Sequence, residues 1–98
     1  ALAAQNQALA AILAPHVAEE LTEGRSAEAK AIVRTLDAVT GVSAAYLVDA
    51  RGRLLAASGK SGAGLDAPPA ADAETPHTRA LMRDRDGRVR GELVIVSD

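Results

Sequence analysis

The chain is 98 residues long, 48% hydrophobic and 24% charged, with a formal charge of −2. That charge is too balanced for a nucleic-acid binder, and the single aromatic, Tyr46, leaves no platform for stacking bases. No apolar run approaches the ~18 residues of a spanning helix, and the absence of Cys excludes disulfides, Cys-based zinc sites and thiol nucleophiles. Length fits one domain with one core. However, 23 of the 47 hydrophobic residues are Ala, which leaves only 24 large ones. Such a core is thin, and a partner or dimer mate is expected to support it.

Residues 1 to about 23 carry a helical pattern. Leu2, Leu9, Leu13, Val17 and Leu21 recur at spacings of seven and four, with Ile12 beside them and Gln5, Asn6, Gln7, Glu19 and Glu23 opposite. Pro15 sits inside and lacks the N–H for the Ala11 carbonyl, so a kink or restart is expected there. At ~1.5 Å per residue the element would span about 35 Å, more than so small a domain needs. Gly24 ends it. Ser26 is a good N-cap for a second helix over about Ala27–Val39, with Glu28 in its first turn. Ala29, Ile32, Val33, Leu36 and Val39 form its stripe, and Gly41 suits a left-handed cap.

From Val42 the character changes to β. Val42–Val48 reads as a strand, Asp49–Gly52 as a tight turn with Gly52 at positive φ, and Arg53–Ser58 as the returning strand. Gly59 to about Thr75 has no pattern and reads as a long loop, with room for one short helical turn near Ala70–Glu74. Thr78–Arg83, Asp84–Gly87 and Arg88–Val96 then repeat the hairpin theme. Gly91 marks a bulge or a close backbone approach, and Leu93/Ile95 against Val94/Val96 suggests a strand covered on both faces. The shared D-x-x-G-R of Asp49–Arg53 and Asp84–Arg88 reads as two similar turns. The whole is α+β: two N-terminal helices, the first long, on one face of a four-stranded antiparallel sheet. Residues 1–40 form the helical part of this single domain, and 41–98 the sheet with its loop over 59–75.

No catalytic constellation is present. Ser58, Ser61 and Ser97 have no nucleophile motif around them. Ser61–Gly64 has its Lys60 on the wrong side for a phosphate-binding loop. His16 and His77 show no metal-ligand spacing, and Asp84/Asp86 lack the distal Glu of a calcium loop. The expectation is no enzyme, no metal and no cofactor. A cationic group remains in Lys60, Arg79, Arg83, Arg85, Arg88 and Arg90, of which Arg79 and Lys60 could capture a small anion. His77 enters a strand from the long loop, where side chains commonly line pockets. Tyr46, Lys60, His77 and Arg79 are the candidate ligand-binding residues.

The stretch Gly41–Ala56 after a helix resembles the "V-x-x-A-x-x-x-D-x-x-G-x-x-x-A" segment of extracytoplasmic PAS-like sensors, the single Cache (PDC-like) and CHASE-type domains of bacterial receptors. Arg83–Val96 is similar to their closing "D-x-D-G-x-x-x-G-x-L" hairpin. The resemblance covers most of the chain. It implies a periplasmic sensory domain of a membrane-bound histidine kinase, diguanylate cyclase or chemoreceptor. The first helix would continue from one transmembrane helix and the last strand would lead to another, so both ends are expected to be cut from a longer protein. The central region is shorter than in that family, and no ligand motif of the family carries over. Expected partners are a second copy, with Leu2, Leu9 and Leu13 as the dimer seam, and a small anionic ligand or a periplasmic protein; nucleic acid is not among them. A competing resemblance is to roadblock/longin-like adaptors of the cytoplasm, which bind a GTPase or scaffold. Those domains place a long helix after the second strand, where this chain has Gly and Pro.

Overall fold

The computed structural model describes residues 2–59, 68–69, 72 and 74–97, with side chains in the first helix from Gln5 onward. In chain order these form α1 (Leu2–Thr22), α2 (Ser26–Thr35), a 3-10 turn (Leu36–Ala38), β1 (Val42–Asp49), β2 (Leu54–Gly59), β3 (His77–Arg83) and β4 (Val89–Ser97). The strands make one antiparallel sheet in the order β2-β1-β4-β3. The fold is α+β, with the long first helix lying over β3 and β4, and α2 over β2 and β1. The short helical turn expected near Ala70–Glu74 falls largely outside the described residues.

α1 corrects the sequence reading in three ways. First, of the two expected outcomes at Pro15 the restart does not occur: one helix continues through it, and both Pro15 and Ala11 are exposed, where water can replace the lost donor. Second, the contact line is made of small residues. Ala10, Ala14, Val17 and Ala18 are at most 4% exposed, whereas Ile12 is 64% exposed. Leu9, Leu13 and Leu21 flank this line, half-buried against the core. Alanines let the helix axis approach the sheet closely, and the longer leucines then close the gap from the sides. Third, Asn6 does not belong to the polar face. It is fully buried. Its Nδ2 donates to Ser97 Oγ at 2.9 Å and to the Gly41 carbonyl at 3.3 Å, while Oδ1 is buried and has no hydrogen-bond partner among the described residues.

Gly24 ends α1 at φ +77°. The cap of α2 also differs from expectation. Arg25 holds the cap position with no side-chain cap, and Ser26 is already helical. Arg25 instead binds Glu20 and Glu23, which ties the helix connection by charge. The expected second helix over Ala27–Val39 is an α-helix to Thr35 and a 3-10 turn beyond it. Its stripe faces the core as read, with Ala29, Val33 and Leu36 buried.

The two hairpin turns are copies of one another in hydrogen bonding. Asp49 Oδ1 accepts the N–H groups of Arg51 and Arg53 at 2.9 and 2.8 Å. Asp84 Oδ1 accepts those of Asp86 and Arg88 at 2.9 and 3.0 Å. In each turn the Gly three residues on donates to the Asp carbonyl, and the Asp N–H bonds back to the Arg carbonyl. Both Gly52 and Gly87 are at positive φ, as a short hairpin with a bulge requires. Asp49 lies opposite Gly91, so both turns leave the same pole of the sheet. Gly91 is a close-approach glycine: a Cβ there would overlap the Val48 carbonyl and lie 2.7 Å from Met82 Cε.

Candidate functional site

The sheet buries both of its faces. Toward the helices, Ala45, Leu47, Met82, Leu93 and Ile95 join the α1 and α2 residues in the main core. On the opposite face Ala44, Tyr46, Val94 and Val96 form a second apolar cluster, flanked by Leu54 and Ala57. The alternation of β4 makes both sets: Leu93 and Ile95 point one way, Val94 and Val96 the other. Among the described residues no helix covers the second cluster, yet Tyr46 is 4% and Val94 0% exposed. This dry patch on the helix-free face is the candidate site.

Register brings three of the four candidate ligand residues to it. Tyr46 pairs with Val94, and Val94 pairs with Arg79 on the far side. Ala57 of β2 completes that row. One row away, Ala44 pairs with Val96 and Val96 with His77. Tyr46, His77 and Arg79 therefore share one face, because each is an even number of positions from the others across the ladder. Lys60, the fourth candidate, lies outside the described residues.

Arg79 is already engaged. Its Nη1 donates to Glu92 Oε1 and its Nη2 to the Pro69 carbonyl, while Nε is buried and has no hydrogen-bond partner among the described residues. The two side chains of the pair are 24% and 28% exposed. A pair this sheltered is screened less than a surface one. An anion would have to displace Glu92 or Pro69 to reach both nitrogens. Pro69 was not readable as a site residue, since the loop around it has no periodic pattern. The only hint was that Pro68 and Pro69 interrupt a run of small and polar residues. His77 Nδ1–H donates to the Thr75 carbonyl at 2.7 Å, which orients the ring at the strand entrance.

The dimer-seam residues sit elsewhere. Leu9 and Leu13 pack against the main core of their own chain, and the side chain of Leu2 lies outside those described. The solvent side of α1 is instead Ala8, Ala11, Ile12 and Pro15. Leu81, between Arg79 and Arg83, is 52% exposed, because it lies on the face of Arg79 in the outermost strand.

Charge concentrates at the pole of the two turns. Arg85 binds Glu19 at 2.8 Å, Arg90 binds Asp84 at 2.9 Å and Arg53 lies 3.6 Å from Asp49. The Asp49 carboxyl is held below its ordinary range chiefly by the Arg53 N–H, with help from the Arg51 N–H and the Arg53 guanidinium. Burial pushes the Asp84 carboxyl up, but the Arg88 N–H, the Arg90 guanidinium and the Asp86 N–H together outweigh it and hold it low. The Glu20 carboxyl is lowered by its bond from Arg25. Among the described residues, no group of three or more His, Cys, Asp and Glu is placed to hold a metal ion, and no helix is long and apolar enough to cross a membrane. The sequence matches no model of a known protein family and no characterised protein.

Proposed function

We propose that this chain is the extracytoplasmic sensory domain of a transmembrane signalling receptor, and that α1 relays its signal. The observation that carries the reading is the contact between Asn6 and Ser97, 91 positions apart. It brings the start of α1 and the end of β4 to one pole, opposite the two turns. A domain whose two ends lie together can sit on a single membrane surface with both ends directed into it. α1 is 21 residues long, about 32 Å at ~1.5 Å per residue, and the longest dimension of the domain is 32 Å. It therefore runs the full length of the molecule and rests on β3 and β4.

The relay is mechanical. A ligand or protein partner that engages the helix-free face would compete for Arg79 and Pro69, and so bias the packing of β3 on β4. α1 rests on those same two strands, and a shift in them would move it as a rigid rod. A homodimer would use the exposed side of α1 at Ala8, Ala11 and Ile12, because Leu9 and Leu13 are occupied within the chain. The Ile12→Asp variant should then lose self-association by light scattering while staying folded; an unchanged mass would remove that seam.

The reading is tested in the full-length protein. These 98 residues have no Cys, so in a full-length protein whose other cysteines are replaced by Ser, Ala31→Cys on α2, away from the α1 seam, gives one exposed thiol. In intact cells a maleimide that passes outer-membrane pores but not the inner membrane should label it. Labelling only after lysis would overturn the sensor reading and turn attention to a cytoplasmic adaptor.

A further inference from the structure

We propose that the cleft between the first hairpin turn and the start of β4 binds a small aliphatic carboxylate. It is lined by Leu21, Leu55, Val89, Arg51, Arg53 and Arg90 beside Asp49 and Ala50, and its volume is about 370 Å³. That lies in the range of roughly 300–1,000 Å³ typical of small-molecule sites. It is separate from the helix-free face, and it stands whether or not the chain is a receptor domain.

The cleft has a structural origin. Leu55 is the extra residue of β2 where Leu47 pairs with Ala56 and Val48 with Leu54. Arg90 is the extra residue of β4 where Met82 pairs with Gly91 and Arg83 with Val89. Each bulge turns a strand end and re-aims one side chain. The two together open the space between the turns and place one apolar and one cationic group at its wall. Leu21, near the end of α1, supplies the third side.

The charge balance selects the ligand. Asp49 is the single acid in the lining. Its Oδ1 is filled by two backbone N–H groups, and its Oδ2 lies 3.6 Å from Arg53 Nε. Arg90 is held by Asp84 at 2.9 Å. The Arg53 side chain is 76% exposed, and among the described residues the Arg51 guanidinium makes no ion pair. The cleft thus offers one uncompensated guanidinium, a second that is loosely held, and an apolar wall of Leu21, Leu55 and Val89. A monoanion with a short hydrocarbon tail satisfies both parts. A guanidinium fork matches a carboxylate in shape, and the tail covers the leucines and Val89, which is 39% exposed. Unlike Arg79, which a ligand reaches only by displacing Glu92 or Pro69, the Arg51 guanidinium has no ion pair to break among the described residues.

The test is titration of the chain with hexanoate, followed by backbone amide NMR, with hexan-1-ol and inorganic phosphate as separate arms. Hexanoate should shift the amides of Ala50–Arg53 and Val89–Arg90 in a saturable way and beyond either control. The double variant Arg51→Gln/Arg53→Gln should weaken binding about tenfold, the effect of one lost charge-assisted contact. Both residues are exposed, so the variant should keep the wild-type spectrum elsewhere. No saturable shift with hexanoate, equal shifts with phosphate, or unaltered affinity in the double variant would each overturn the proposal.

Discussion

The two faces of the sheet are closed by different means. The helix-covered face joins Leu47, Leu93, Ile95 and Met82 to two helices in an apolar cluster, with the one buried amide of Asn6 at its Ser97 end. The helix-free face joins a smaller cluster of Ala44, Tyr46, Val94 and Val96, and its margin is an ion pair and a loop carbonyl at Arg79. The first face is held by area removed from water, which is large and without direction. The second adds to its apolar cluster a few directed contacts at the margin, and under the proposed function these are the ones a ligand or partner would exchange.

The sharpest way to break that contrast is to truncate neighbours on one strand. Leu93→Ala removes a fully buried side chain from the helix-covered core and should cost about 2–5 kcal/mol in urea denaturation. Val94→Ala, one position on and facing the other way, should cost about 1.5–3 kcal/mol. An equal or larger loss at Val94 would mean the helix-free face is as rigidly packed as the other.

Asn6→Ala comes next. It leaves Ser97 Oγ and the Gly41 carbonyl without their donor, a loss of about 1–3 kcal/mol. A double-mutant cycle with Ser97→Ala should show coupling of about 0.5 kcal/mol or more. Strictly additive losses would mean the two ends are not joined at this pole. The pole opposite has a pH signature instead. Asp49 and Asp84 both titrate lower in the folded chain than in the unfolded one. The unfolded chain therefore takes up protons first, and their stabilisation is present at neutral pH. It is lost as pH falls through about 4 and below. The urea midpoint should drop across that window, and Asp49→Asn with Asp84→Asn should flatten the drop. The smallest effect belongs to Ile12→Gln on the solvent side of α1, which should move monomer stability by less than about 0.5 kcal/mol. A larger loss in the monomer would mean that Ile12 packs within its own chain.

How far the sequence could be read follows from the range of each signal. Helices, strands and turns were legible because their determinants are local: Gly24 ends α1, and the D-x-x-G-R pairs shape two equivalent turns. The double burial of β4 could be read from four consecutive apolar residues. The face of α1 could not be placed to the residue. Leu spacing of seven and four fits two adjacent stripes about equally well, and only docking against β3 and β4 selects the alanine line and draws in Asn6. Arg79 was legible only as one of a group of cations; its bonds to Glu92 and Pro69 were not, because the first needs the register of β3 on β4 and a loop without periodicity says nothing of where it passes.

By itself the sequence determined the α+β class, the order of elements and the turn chemistry. Each of these is set by propensities and hydrogen bonds within a few residues. The tertiary structure alone decided which side of α1 is inside, that Asn6 meets Ser97, and that two bulges open a cleft between the turns. Those depend on residues up to 91 positions apart, and their meeting is selected by packing, which no local pattern encodes.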